Sequence, residues 1–200
     1  MENHPVRVAI VGTAGRGEAA SRLSYVVYAS MLQDARQRVA AIEPDPQHLE
    51  LVSGGAAWAD HMAVLLFLQG AAARLTLFLP APLTGTGFYK ENAGDWRSNP
   101  GGTSNHYHRQ FTAKLQAGGV KGASHLDLLA LKSLPGAQLK VGHGFHQRNI
   151  VLAQYLGTGH LLAYTFGVGG GPADGGTLHT WNCATKAHKQ HIPIHTLRST

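Results

Sequence analysis

Apolar residues recur along the chain with two spacings, one typical of strands and one typical of helices. The run 6–11 is short and rich in β-branched residues, which predicts a buried strand. Between about 22 and 40, apolar residues return every three or four positions, which predicts a helix that ends before Pro44. The same patterns predict strands at 48–53, 75–79, 161–166 and 192–197, and helices at about 58–69, 105–115, 124–134, 145–155 and 177–189.

Strands that alternate with helices indicate an α/β fold with a parallel sheet and helices on both faces. We predict a doubly wound, Rossmann-like sheet of five strands in the order 3-2-1-4-5, within a single domain that spans 1–200. An irregular insertion at about 83–104 is too long for a simple connection. It is either a functional lid or a disordered insertion. Phe88, Tyr89 and Trp96 favour the lid, because aromatic side chains are costly to leave in water.

Glycine-rich turns follow three of the predicted strands, at 12–17, 54–55 and 169–176. The carboxyl ends of parallel strands share one edge of the sheet, and ligands bind there where the strand order reverses. Glycine lets backbone N–H groups approach a ligand, and the helix that follows favours an anion at its N-terminus. Glycines are also common in purely structural turns. Three such turns on one edge nevertheless predict a site for a phosphate or another anionic group.

Two residues beside the Gly54-Gly55 pair bear on this site. Asp60 is predicted in the first turn of a helix, where it either caps the helix or binds a ribose hydroxyl. Trp58 either covers the site or packs in the core.

The overall charge and the apolar pattern indicate whether the protein binds nucleic acid, small anions or a membrane. The formal net charge is +6, but the basic residues are scattered and form no nucleic-acid-binding motif. Small anionic ligands are therefore favoured over nucleic acid. The N-terminal residues resemble no signal peptide, and Gln69 and Arg74 interrupt the most apolar window, so we expect a cytoplasmic protein without a membrane span.

Cysteine and histidine usage gives no sign of a metal or a thiol nucleophile. Cys183 is the single cysteine, which suits a reducing compartment and a packed helix thiol. The chain has 13 histidines, most densely at His188, His191 and His195 and at His106 and His108. A zinc site needs three or four convergent ligands, and these residues fall on different predicted elements. We predict surface histidines, no metal and no cofactor.

Three motifs resemble those of the SLOG superfamily of Rossmann-like nucleotide-binding proteins, which includes the LOG phosphoribohydrolases, DprA and the YspA/YpsA-like branch. The first is Ser53-Gly54-Gly55 followed by Ala59-Asp60-x-x-Ala63. The second is Gly144-Phe145 followed by Arg148-Asn149, and the third is Asp174-Gly175-Gly176-Thr177. The resemblance covers 6–17, 51–63, 144–150 and 161–181.

The resemblance implies a nucleotide or nucleotide-derived ligand held by the glycine turns. Together with the turn pattern it predicts these ligand-binding residues: Gly12, Thr13, Gly15, Arg16, Gly54, Gly55, Trp58, Asp60, Arg148, Asn149, Gly175, Gly176 and Thr177. Arg148 and Asn149 also fit a solvated helix start. A single compact domain without a fused effector is compatible with a sensor or a sequestering protein, including a phage-type sponge for immune signalling nucleotides, although none of the residues points to that role directly.

The sequence departs from the catalytic pattern of the phosphoribohydrolases. These enzymes carry a catalytic glutamate three residues after the threonine of the third motif, and Thr180 occupies that position here. We therefore expect binding without efficient turnover. The alternative is an N-glycoside hydrolase that acts on a nucleotide, with Arg148, Asp60 and Asp174 as candidate catalytic residues. A third hypothesis, which the DprA branch and the net charge allow, is a nucleic-acid-associated protein.

We also predict a homodimer. The predicted helices at 23–35 and 124–134 are apolar enough to leave faces uncovered, and SLOG proteins commonly self-associate.

Overall fold

Six parallel strands form a single sheet in the computed structural model, which describes residues 4–197. The strands are β1 Val6–Gly12, β2 Leu49–Ser53, β3 Arg74–Leu79, β4 Ala137–Val141, β5 His160–Thr165 and β6 His188–Pro193. The helices are α1 Ala19–Arg22, α2 Tyr25–Ile42, α3 His61–Leu68, α4 Pro100–Ala117, α5 Ser124–Leu131, α6 Gly144–Leu156 and α7 Gly175–Cys183. Short 3₁₀ helices lie at Pro46–His48 and Ile194–Thr196.

The strand order is β4-β3-β2-β1-β5-β6, so the predicted sheet of five strands in the order 3-2-1-4-5 was wrong. The missed strand is β4, which pairs with β3 at one edge of the sheet. Its residues Gln138 and Lys140 are exposed, as an edge strand allows, and they interrupt the apolar run by which a buried strand is recognised.

The other edge strand, β6, was placed too late in the chain. It begins at His188 instead of 192, and the helix predicted to reach 189 ends at Cys183. The first four residues of β6 are the polar stretch His-Lys-Gln-His, of which the first three are exposed. Because these residues are polar, no apolar pattern marks the start of the strand.

Helices cover both faces of the sheet. On β1, Val8 and Ile10 belong to the core beneath α2, α3, α4 and α5, whereas Ala9 and Val11 belong to a second core beneath α6. This alternation is the two-residue repeat of a strand buried on both sides.

The chain crosses the sheet in two directions. It runs outward from β1 to β4 on the first face, and α6 then brings it back to β5, next to β1. The strand order therefore reverses between β1 and β5, which is where ligands bind in sheets of this kind.

The segment before α4 packs onto the body of the protein. Tyr89 is buried, and its backbone N–H and carbonyl bond to the side-chain amide of Asn105 at 2.8 and 2.9 Å. Asn99 caps α4 by accepting from Gly102 N, and Pro100 occupies the first helical position. For that reason the helix begins five residues before the predicted 105, inside the predicted insertion at 83–104.

Across residues 4–197, none of the helices is both long and apolar enough to span a membrane.

Candidate ligand cleft

A cleft of about 1080 Å³ opens at the carboxyl edge of the sheet, where the turns after β1 and β5 meet. The turn after β1, the first turns of α6 and α7, and one side of α4 form its walls. Trp96, from the segment before α4, also lines it. The cleft therefore lies at the reversal of strand order.

The turn after β1 is held close to β5. Thr13 N donates to the carbonyl of Tyr164 at 2.9 Å, and a Cβ on Gly12 would overlap that same carbonyl. Arg16, Gly17 and Glu18 follow along the cleft wall, and their backbone N–H groups have no acceptor within the described part of the chain. These groups are available to an anionic ligand.

Asp60 and Arg148 form a buried ion pair at the inner wall of the cleft. The Nη1 of Arg148 lies 3.3 Å from the Oδ2 of Asp60, and the side chains are 9% and 5% exposed. The same oxygen accepts from Gly54 N at 3.1 Å and from Ala56 N at 3.4 Å. Burial raises the pKa of the Asp60 carboxyl, against the opposing effects of Arg148 and the backbone N–H groups. Asp60 thus fixes the loop and orients Arg148.

Arg148 has donor capacity left over. Its Nε is buried and has no acceptor among residues 4–197, although the side chain lines the cleft. A buried donor without a partner costs about 1–3 kcal/mol, and more when the group is charged. An anion that contacts Nε would remove that cost.

Gly54 is required for this placement of Arg148, because a Cβ at position 54 would overlap Nη1 of the guanidinium.

The N-terminus of α7 also faces the cleft. Gly175, Gly176 and Thr177 line it, and their backbone N–H groups have no acceptor in the part of the chain described. Thr177 Oγ1 donates to the carbonyl of Gly12 at 2.9 Å, which ties this turn to the one after β1. Asn149 Nδ2 donates to the carbonyl of Gly176 at 3.2 Å. Free N–H groups at the start of a nine-residue helix favour an anion.

The Gly54-Gly55 turn does not line the cleft, and the Gly54 N–H and the Gly55 carbonyl are bonded within the protein. Gly54 N donates to Asp60, and the carbonyl of Gly55 accepts from Tyr89 OH at 2.6 Å and His108 Nε2 at 3.0 Å. The first N–H groups of α3 already donate to the carbonyls of residues 58–60. The turn is therefore a structural support for the cleft wall.

Trp58 packs in the core instead of covering the cleft. Its ring contacts Phe111, with centroids 4.7 Å apart, and lies under Gly15. Its φ of 63° is in the left-handed region, which costs about 1–2 kcal/mol for a residue with a Cβ. Packing of the indole holds the residue in this conformation and supports the turn after β1.

The structure brings most of the predicted binding residues together at the cleft. Those that line it are Gly12, Thr13, Arg16, Asp60, Arg148, Asn149, Gly175, Gly176 and Thr177, together with the candidate Asp174. Those that lie behind the lining are Gly15, Gly54, Gly55 and Trp58.

Sequence reasoning did not assign to the site the aromatic side chains that line the cleft, nor one of its carboxylates. They are Glu18, Trp96, Tyr107, Phe145, His146 and Phe166. Phe145 and Phe166 each adjoin a glycine of the cleft motifs, which was a usable signal. Trp96 was noted only as part of a lid and Tyr107 carried no signal, because both residues reach the cleft only through tertiary packing.

The lining combines donors for an anion with aromatic rings. Arg16 and Arg148 supply guanidinium groups, and the starts of α6 and α7 supply helix N-termini. Glu18 and Asp174 are exposed carboxylates on the same wall. This composition suits a small ligand that carries both an anionic group and an unsaturated ring.

Thr180 cannot replace a catalytic carboxylate. It is buried at the cleft floor, and its Oγ1 donates to the carbonyl of Gly176 at 3.0 Å. His179, one residue away, does not line the cleft; its Nε2 lies 4.0 Å from the Sγ of Cys183. Within residues 4–197, no group of three or more His, Cys, Asp or Glu side chains is arranged to hold a metal ion.

Comparison with known proteins gives a relative of the same length. No protein-family model matches the chain, and no solved structure matches it. The chain is 32% identical over 192 residues to a protein of Acanthamoeba polyphaga mimivirus described as uncharacterized protein R261, and the match covers 94% of this chain and 96% of the viral one. At that identity and coverage, the chain belongs to the same protein family as uncharacterized protein R261 of Acanthamoeba polyphaga mimivirus.

Proposed function

We propose that the protein binds a small nucleotide or nucleotide-derived ligand in the cleft, and that it acts as a sensor or a sequestering protein. The observation that carries the proposal is the buried guanidinium of Arg148, whose Nε has no protein partner within residues 4–197 although the side chain lines the cleft. A phosphate is the anionic group that arginine and a helix N-terminus bind together most readily.

A nucleotide accounts for the remaining features of the cleft. Its phosphate suits Arg148 and the N-terminus of α7, and its base suits the aromatic lining. The place of the cleft, at a reversal of strand order, is the usual nucleotide position in Rossmann-like sheets. The SLOG-like motifs supply Arg148, Gly175, Gly176 and Thr177 to this wall.

Binding is favoured over hydrolysis by the state of the acidic residues. Cleavage of an N-glycosidic bond needs a general acid or base, which contributes about 10²–10⁴-fold in rate. Asp60 is buried and tied to backbone N–H groups and Arg148, and Thr180 replaces the expected glutamate. Asp174 and Glu18 remain on the cleft wall, and hydrolysis through Asp174 is the second candidate function.

The proposal is tested by isothermal calorimetry with AMP, GMP, NAD⁺ and cyclic ADP-ribose as titrants, on the native protein and on Arg148→Ala. Loss of a charge-assisted contact costs about 1.5–3 kcal/mol, so the tightest ligand should bind about ten- to hundred-fold more weakly. Mass spectrometry of small molecules released on denaturation identifies a ligand carried through purification.

Two glycine substitutions distinguish an effect of displacing Arg148 from a general effect of adding a methyl group to a glycine. Gly54→Ala should weaken binding as Arg148→Ala does, because the added methyl displaces the guanidinium. Gly169→Ala adds the same methyl where no atom of residues 4–197 lies within 4 Å, and this variant should bind normally. Native affinity in both Arg148→Ala and Gly54→Ala contradicts the proposal.

Turnover decides between binder and hydrolase. Incubation with the bound nucleotide, followed by chromatography, should return the nucleotide intact. Multiple turnovers that disappear in Asp174→Asn would establish the hydrolase.

A further inference from the structure

Trp96 is presented to the cleft by a tight turn. The carboxylate of Asp95 accepts from Arg97 N at 2.9 Å and from Ser98 N at 3.2 Å, and the backbone of Asn99 donates to the carbonyl of Asp95 at 2.6 Å. These backbone N–H groups lower the pKa of Asp95, so the carboxylate that fixes the turn stays charged. The backbone turn that carries Trp96 is therefore fixed by its own hydrogen bonds.

The guanidinium of Arg97 covers one face of the indole. The guanidinium carbon of Arg97 lies 4.5 Å from the ring centre, and the Arg97 side chain is 72% exposed. The ring of His146 lies 6.0 Å away at 42°, which is a tilted contact and not a stack. Trp96 lines the cleft, and Arg97 is the cation placed over its ring.

Trp96 has no evident role in stabilising the fold. It belongs to neither hydrophobic core and remains partly exposed, although an aromatic ring of this size gains by burial. Tyr89, from the same segment, is buried and bonded to Gly55 and Asn105. The segment is thus anchored by Tyr89 and leaves Trp96 free for another purpose.

We infer that Trp96 is the residue by which the cleft selects ligands that carry a nucleobase, through stacking of the base on the face of the indole opposite Arg97. The inference rests on the proposed function and adds to it a specificity-determining residue outside the SLOG-like motifs. Arg97 strengthens the platform because a cation on one face of an indole holds the ring in place. Stacking of a base on an aromatic side chain corresponds to about a five- to hundred-fold gain in affinity.

The test compares a base-bearing ligand with its base-free counterpart. The nucleotide that binds the native protein most tightly is titrated alongside ribose 5-phosphate, which retains sugar and phosphate, into native protein, Trp96→Ala and Trp96→Phe. Trp96→Ala should lose about five- to hundred-fold in affinity for the nucleotide and none for ribose 5-phosphate. Trp96→Phe keeps a stacking ring and should recover most of the loss.

Phe88→Ala is the matched control. Phe88 lies in the same segment, but it stacks on His125 at 4.1 Å between ring centres and does not line the cleft. Its removal should leave the affinity for the nucleotide unchanged. Thermal unfolding followed by circular dichroism confirms that each variant folds.

The outcomes separate this inference from the proposed function. Native affinity for the nucleotide in Trp96→Ala, with weakened binding in Arg148→Ala, overturns the stacking role alone. Equal losses for the nucleotide and for ribose 5-phosphate in Trp96→Ala overturn it as well. Trp96 would then maintain the structure of the cleft wall and would not contact the base specifically. If no nucleotide in the panel binds the native protein, the proposed function fails and the inference fails with it.

Discussion

At the scale of single residues, His108 shows how a polar group is kept neutral inside the protein. Its Nε2 donates to the carbonyl of Gly55 at 3.0 Å, and its Nδ1 accepts from the hydroxyl of Ser124 at 2.9 Å. A carbonyl only accepts, so these two bonds define one neutral tautomer. Burial, and next the nearby His61, lower the pKa of His108 to about 3.

This shift makes stability depend on pH. Between about pH 6.5 and 3 the unfolded chain binds a proton at His108 that the native protein does not, so stability falls as the pH falls through this window. The slope from this residue is at most about 1.4 kcal/mol per pH unit. In His108→Gln, whose amide can still donate to Gly55, urea unfolding should show a flatter dependence on pH. His106→Gln, at an exposed position, should retain the native slope. Parallel curves for native protein and His108→Gln would place the acid sensitivity in other groups.

At the scale of elements, the turn between β2 and α3 forms hydrogen bonds or ion pairs with three distant parts of the chain. Asp60 in this turn holds Arg148 from α6, and Gly55 accepts from Tyr89 and from His108 of α4. Gly55 has a φ of 69°, and a Cβ there would lie 2.6 Å from Leu79 Cδ2 and 2.8 Å from Tyr89 OH. Both backbone conformation and packing therefore require glycine at this position.

Gly55→Ala should lower the free energy of unfolding by about 2–5 kcal/mol, from left-handed strain together with overpacking. Gly70→Ala is the matched control, because φ is 76° there and a Cβ would have no neighbour within 4 Å in the described part of the chain. It should cost only the strain, about 1–2 kcal/mol. Urea denaturation measures both values. Equal costs would show that Tyr89 and Leu79 yield to the methyl group without loss.

At the scale of the whole molecule, the first face of the sheet leaves apolar side chains uncovered. Val26 of α2 and Leu126 of α5 are each 50% exposed. Such side chains suit an interface between two copies of a protein. The homodimer expected from the sequence thus stays a prediction, now with named surface positions.

We expect sedimentation equilibrium to show a dimer that dissociates on dilution, and Val26→Asp with Leu126→Asp to shift it towards monomer. A charge introduced into an apolar interface is costly unless it is paired. Val168→Asp provides a control, since Val168 is exposed in the loop between β5 and α7. A monomer at every concentration of the native protein contradicts the dimer, and dissociation by Val168→Asp would move the interface to the cleft side.

The sequence by itself determined the central strands, the α/β class and the two turns that form the cleft. β1, β2, β3 and β5 are buried, and their apolar runs are visible without knowledge of the neighbours. The turns after β1 and β5 carry glycines at the ends of those runs, and parallel pairing places both at one edge. These features follow from local patterns because burial of a central strand affects every residue in it.

Only the tertiary structure decided the edge strands, the role of Gly54-Gly55 and the aromatic lining. β4 and β6 are half solvated, so no apolar run distinguishes them from loops. Asp60 and Arg148 are 88 positions apart, and Gly54 acquires its purpose only when the return of the chain through α6 brings the guanidinium against it. Trp96 reaches the cleft because Tyr89 and Asn105 anchor its segment to α4. Contacts between residues so far apart depend on how the whole chain packs. A local pattern of residues does not predict that packing.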